Sequence, residues 1–93
     1  MIVERVEVTL KPGHEQDYID AMEAMRGTLT AAKGCRGVTI GRGVENPSKA
    51  LLLVTWDAIE AHAAFKQMPG HAALVARAGG FVASAVVEHF ACR

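Results

Sequence analysis

The first ten residues alternate. Ile2, Val6, Val8 and Leu10 take even positions and Arg5, Glu7 and Thr9 odd ones, the period-two pattern of a strand with one buried face. Lys11, Pro12 and Gly13 end it. From His14 the spacing changes to threes and fours, through Tyr18, Ala21, Met22, Met25, Leu29 and Ala32, which predicts a helix of about five turns reaching Gly34. Alternation returns at Val38, Ile40, Arg42 and Val44 against Thr39, Gly41 and Gly43. Asn46-Pro47 separates this strand from the apolar run Ala50 to Trp56, so strands two and three are predicted to pair as a hairpin.

Asp57 followed by Glu60 reads as a capping box opening a second helix. On that helix Ile59, His62 and Phe65 recur every three residues, along the face predicted to pack inward. Met68, Pro69 and Gly70 interrupt the pattern, and a shorter third helix starts near His71 and stops at Gly79 and Gly80. Phe81 to Phe90 reads as a last strand with no strong polar face before Glu88 and His89, so both its faces are expected to be covered.

With the third helix counted as an appendage, the order is strand, helix, strand, strand, helix, strand. That order predicts an α+β, ferredoxin-like βαββαβ fold: a four-stranded antiparallel sheet with helices on one face. Helices cover only one side of the sheet. A second copy is the simplest cover for the other, two sheets packing face to face in a dimeric α/β barrel.

Size and composition agree. The 93 residues make one domain, 1–93, and a chain this short buries only about two thirds of its unfolded surface. Hydrophobic residues make up 51% of it, yet no apolar run approaches the roughly 20 residues that cross a bilayer. The surplus apolar surface therefore points to a homodimer and not to a membrane. Ten basic residues balance ten acidic ones with no basic cluster, which removes nucleic acid from the expected partners. Glu4, Arg5 and Glu7 interrupt the apolar core a secretory signal would need, so a cytoplasmic location is expected. Cys35 and Cys92 lack the close spacing of a metal knuckle or redox pair and read as free thiols, the first half-buried and the second on a frayed tail. Neither a metal nor a cofactor is expected.

Candidate chemistry concentrates between Thr55 and His71. Trp56, at a strand end, reads first as a core anchor whose indole N–H needs an acceptor. His62, on an inward face, must find a partner or a ligand. Its imidazole can take a proton from a hydroxyl near neutral pH, which makes it the first candidate for a base. His71 ranks second. Arg77, among Leu74, Val75 and Ala78, is either a solvated cation or, turned inward, a guanidinium able to hold a phenolate. Tyr18, Met22 and Met25 read as core, and the soft methionines also suit the lining of an aromatic pocket with Leu52 and Phe65. Surface or interface roles suit His14 and His89.

Three stretches together resemble the antibiotic biosynthesis monooxygenase domain family, over nearly the whole chain. KPGHEQDY after the first strand is similar to the family's entry into its first helix. KGCRGVTIGRGVENPSKALLLVTWD resembles its hairpin, with Gly-Cys before strand two, Asn-Pro at the turn and a Trp closing strand three. AIEAHAAFKQMPGHAAL resembles its next helix and Pro-Gly-His segment.

The resemblance implies a small dimeric α/β barrel. In one branch it implies cofactor-free oxidation of phenolic or quinol-like aromatics by dioxygen, at a site of Trp, Tyr, Arg and Asn. Trp56 matches the Trp, His62 stands where the Tyr would, Arg77 lies within one residue of the Arg, and Leu52 occupies the Asn position. A haem-cleaving branch uses an iron-ligating His, an Asn on strand one and a helical Trp; here those positions hold Leu74 or Val75, Glu7 and Phe65, and haem degradation is set aside.

The function expected is thus a cofactor-independent monooxygenase acting on a small aromatic substrate with dioxygen. His62, Trp56 and Arg77 would be catalytic, and Leu52, Phe65, His71, Met22 and Tyr18 would line the pocket. The alternatives are a non-catalytic small-molecule-binding or accessory dimer and a cofactor-free isomerase or cyclase on the same fold.

Overall fold

The computed structural model describes every residue from Met1 to Arg93. Its elements are β1 (Ile2–Leu10), α1 (Glu15–Thr30), β2 (Cys35–Arg42), β3 (Lys49–Trp56), α2 (Ile59–Phe65), α3 (Pro69–Ala78), a 3-10 turn (Gly79–Phe81) and β4 (Val82–Ala91). The four strands form one antiparallel sheet in the order β2-β3-β1-β4. This is the α+β, ferredoxin-like fold that the strand and helix order predicts.

Register fixes which side chains share a face, because residues directly opposite in an antiparallel pair point the same way. Glu4, Val6 and Val8 of β1 lie opposite Val54, Leu52 and Ala50 of β3 and opposite His89, Val87 and Ala85 of β4. This is the face the helices cover. Its side chains join Tyr18, Met22 and Leu29 of α1, Phe65 of α2 and Ala78 of α3 in one core, with Trp56, Met22 and Val54 as its largest fully buried members. The other face carries Val3, Arg5 and Glu7, Leu51 and Leu53, and Val86, Glu88 and Phe90. Arg5 pairs with Glu7 at 2.8 Å and Glu88 at 3.6 Å, and Lys49 with Glu7 at 3.2 Å. No helix covers those residues, and Val86 and Phe90 are 56% and 45% exposed.

The segment between α1 and β2 sets the place of α2. Gly34 has φ +85°, and a Cβ there would stand 2.6 Å from the Ala61 Cβ, so only glycine lets α2 approach this closely. The Gly34 carbonyl accepts the Asp57 N–H at 2.8 Å. These contacts anchor the turn that delivers Ala61 and its neighbour His62.

Several local expectations fail here, and β4, expected to be covered on both faces, is exposed along nearly its whole length because it is an edge strand. The capping box does not form: Ala58 is the N-cap without a side-chain bond, and the Asp57 carboxylate pairs instead with Arg36 of β2. Ile59 is 45% exposed and turns away from the core while His62 and Phe65 turn in. The seven-residue helix buries only about one turn against the sheet. Cys92 is also less loose than a frayed tail, since its N–H donates to the Met1 carbonyl at 2.8 Å. No helix is long and apolar enough to cross a membrane.

Candidate functional site

A cavity of about 280 Å³ lies between the helix-covered face of the sheet and the three helices. Of its 17 lining residues 13 are hydrophobic, so its chemistry rests on the side chains of Glu4, His62 and His71 and on the Tyr18 hydroxyl. A second depression, of about 520 Å³, lies between the end of α1 and the start of α3, but Lys33 is the only charged side chain on it. The titratable groups converge in the smaller one.

Strand parity puts Glu4 there. It occupies an even position, on the same side as Val6 and Val8, and it is only 8% exposed. A buried carboxylate needs hydrogen bonds to offset its lost hydration. The Trp56 indole N–H donates to Glu4 Oε1 at 3.0 Å, and His62 Nε2 stands 3.4 Å from the same oxygen.

His62 is 5% exposed. Its ring stacks on Trp56, centroids 5.4 Å apart and planes at 17°, and Trp56 also contacts Phe65 at 5.7 Å. On its far side His62 Nδ1 lies 2.7 Å from His89 Nε2, a hydrogen bond in which one ring donates and the other accepts. The Nδ1 position is thereby occupied, and Nε2, facing Glu4, is the nitrogen without a hydrogen bond. Burial pushes the His62 imidazole below its ordinary value of 6.5; Glu4 opposes this, while Lys66, His89 and His71 add to it. The ring is therefore neutral near pH 7 and able to accept a proton.

His71, from the first turn of α3, meets the edge of Phe65 at 5.8 Å and lines the same cavity. Tyr18, Met22, Leu52 and Phe65 line it as well. Burial alone raises the Tyr18 phenol above its ordinary value of 10.0, so near neutral pH it offers the cavity a hydroxyl.

Two expected residues stand elsewhere. Trp56 is wholly buried behind His62 and Glu4 and is not on the cavity wall, so it holds the other two groups and does not touch a ligand. Arg77 is exposed and borders a separate groove with Asp17, Asp20 and Phe81. The reason is helical phase: His71, Leu74, Val75 and Ala78, spaced by three and four, face the cavity from α3, and Arg77 falls outside that stripe. No guanidinium reaches the cavity.

Two further members, Glu4 and His89, carried a readable signal. Glu4 shares the even positions of strand one with its apolar residues, and His89 sits directly across the ladder from it. His89 is thus a partner of the buried imidazole and not only a surface residue. The two approach opposite nitrogens of the His62 ring, and no three His, Cys, Asp or Glu side chains cluster around a point that could hold a metal ion.

None of the curated proteins matches the chain. Solved structures do. A protein of Bordetella bronchiseptica, provisionally named an antibiotic biosynthesis monooxygenase, is 26% identical with a TM-score of 0.92, over 99% of this chain and 96% of that one. Proteins of Nitrosomonas europaea and Deinococcus radiodurans carrying the same provisional name superpose with TM-scores of 0.89 and 0.87 at 14% and 13% identity. They cover 99% and 100% of this chain and 98% and 93% of their own, and at such identities they speak for the fold alone. The family model described as antibiotic biosynthesis monooxygenase matches residues 1–77, a span holding the first three strands, α1, α2 and all of α3 but its last residue, and with them Glu4, Tyr18, Met22, Leu52, His62, Phe65 and His71. The chain therefore belongs to the antibiotic biosynthesis monooxygenase family.

Proposed function

We propose that this protein is a cofactor-independent monooxygenase that oxidises a small phenol or quinol-like aromatic with dioxygen, and that it works as a homodimer. The observation that carries the reading is the neutral His62 imidazole beside the Glu4 carboxylate in a cavity whose other walls are mostly aliphatic and aromatic. A flat apolar ring fits such walls, and the polar groups at one end fix its hydroxyl.

His62 accepts the phenolic proton at Nε2, and the Glu4 carboxylate 3.4 Å away faces the imidazolium that forms. The resulting anion is the reductant. It gives its electrons to dioxygen, a ring C–H bond is replaced by a bond to oxygen, and the O–O bond breaks. One oxygen atom ends as a ring carbonyl and the other leaves as water with the protons released, so no outside reductant enters the balance. His71 and the Tyr18 hydroxyl orient the oxygen of the substrate, taking the place that Arg77 does not reach. Apolar walls keep water from the intermediate.

Dimerisation is supported by the uncovered sheet face, where Leu51, Leu53, Val86 and Phe90 surround the Arg5–Glu7–Lys49 ion pairs. A second sheet would remove that apolar surface from water.

Leu52 on the cavity wall and Arg77 outside it favour a second reading, a dimer that binds a small apolar molecule without turning it over. Oxygen uptake with a panel of phenols and quinols separates the two. Enzyme-dependent consumption supports the monooxygenase, and thermal stabilisation by the same compounds without consumption supports the binder. Product formation that continues without oxygen selects an isomerase or cyclase using the same base.

A further inference from the structure

The contact between His62 and His89 has no part in binding a substrate, since His89 is not on the cavity wall. It nevertheless joins the cavity to the outside. Glu4 and His62 are 8% and 5% exposed, whereas His89, next along the line, is exposed on the edge strand β4. The distances along the line are 3.4 Å from Glu4 Oε1 to His62 Nε2 and 2.7 Å from His62 Nδ1 to His89 Nε2. An imidazole that meets a proton donor at one nitrogen and a second imidazole at the other can take a proton at the first and release one from the second.

We propose that His62 and His89 form a proton path between the Glu4 end of the cavity and solvent at the β4 edge, with His89 as its outer end. With His62 carrying its proton on Nδ1, a proton arriving at Nε2 forms the imidazolium. The Nδ1 proton then passes to His89 Nε2, and His89 releases its Nδ1 proton to water. Movement in reverse brings a proton back and restores the starting tautomers. An oxidation that first takes a proton from its substrate and later forms water needs both directions. The path itself does not depend on that use, and only its catalytic meaning rests on the function proposed above.

The surroundings suit the role. The charged and titratable groups around His62 are Glu4 from β1, His89 from β4, Lys66 just after α2 and His71 from α3. Among these only His89 is hydrogen-bonded to the ring. His89 shares its face with Glu4, the helix side, so a partner sheet on the opposite face leaves the exit open.

The test needs no substrate. In protein labelled with nitrogen-15 at histidine, exchange of the His62 ring N–H with water is measured by magnetisation transfer, in the wild type and in His89→Phe. Exchange slowed by about tenfold or more in the variant is expected, with backbone amide exchange around α2 unchanged. Adding free imidazole to His89→Phe restores it. His62 exchange equally fast in both proteins overturns the path, as does slow exchange in the variant that imidazole leaves unchanged. His89→Gln, which keeps a polar group but cannot relay a proton between two ring nitrogens, behaves like His89→Phe; wild-type exchange in His89→Gln assigns the contact a purely structural role. Loss of oxygen uptake alone leaves this result untouched, so the path and the proposed activity fail separately.

Discussion

The Trp56 indole N–H and the Glu4 Oε1 oxygen, 52 residues apart in sequence, meet at 3.0 Å inside the core. Trp56 closes β3 and Glu4 stands in β1, and the hydrogen bond aims the carboxylate at the imidazole of His62. The core thus carries a carboxylate that an apolar side chain would replace at lower desolvation cost. Removing one partner is expected to hurt more than removing both. Trp56→Phe strands the carboxylate and costs about 1–3 kcal/mol beyond the lost packing. Adding Glu4→Leu to Trp56→Phe recovers part of that loss. Urea unfolding of the two single variants and the double variant measures it, and a double variant weaker by the sum of the singles contradicts it.

The depressed imidazole of His62 makes stability depend on pH. Its folded-state value lies below the 6.5 of the unfolded chain, so below that pH the unfolded state binds the proton more readily. The contribution is complete above pH 6.5 and is lost as pH falls through the lower folded value. Glu7 and Glu23 are also held low, by Arg5 and Arg26 respectively, but their losses begin only near 4.5. Unfolding free energy followed between these limits falls with pH in the wild type and flattens in His62→Leu. Equal slopes in the two proteins place the imidazole in water.

Arg77 gives a control. Exposed and outside the cavity stripe of α3, Arg77→Ala is expected to change stability by no more than about 0.5 kcal/mol. It leaves the binding of an aromatic ligand unchanged by calorimetry. A marked loss of affinity means that the guanidinium reaches the cavity after all.

Phe90 and Val86 test the assembly. Both lie on the sheet face away from the helices, and Phe90→Lys sets a charge where two apolar sheets would meet. Light scattering is expected to give a dimer for the wild type and a monomer for the variant. A wild-type monomer at micromolar concentration removes the dimer from the account.

Much of this was legible along the chain, and the failures are local. Alternation in β1 and β2, the apolar run of β3 and the three-and-four spacing of α1 revealed the sheet and its covering helix, because a buried face leaves a strong periodic signal. Helical spacing placed Tyr18, Met22 and His62 on the covered side, and the family resemblance pointed to Leu52. Glu4 escaped because a charge in a short strand reads as a solvent-facing residue, although its even position said otherwise. His89 escaped because β4 has little polar alternation, so only the register with β1 shows which way it points. Arg77 depended on the phase of a helix that Pro69 starts two residues before His71. Asp57 met every local requirement of a cap and was taken by Arg36, a partner 21 residues away that no local pattern contains.

The central claim is that His62, set against Glu4 in an apolar cavity, starts a reaction between an aromatic hydroxyl compound and dioxygen. Turnover of a phenol or quinol under isotopically heavy dioxygen tests it most directly, with mass spectrometry of the product. The account predicts one heavy oxygen atom in each product molecule and a rate about 10²–10⁴-fold lower in His62→Ala. Product without heavy oxygen, or equal labelling and rate in His62→Ala, contradicts it.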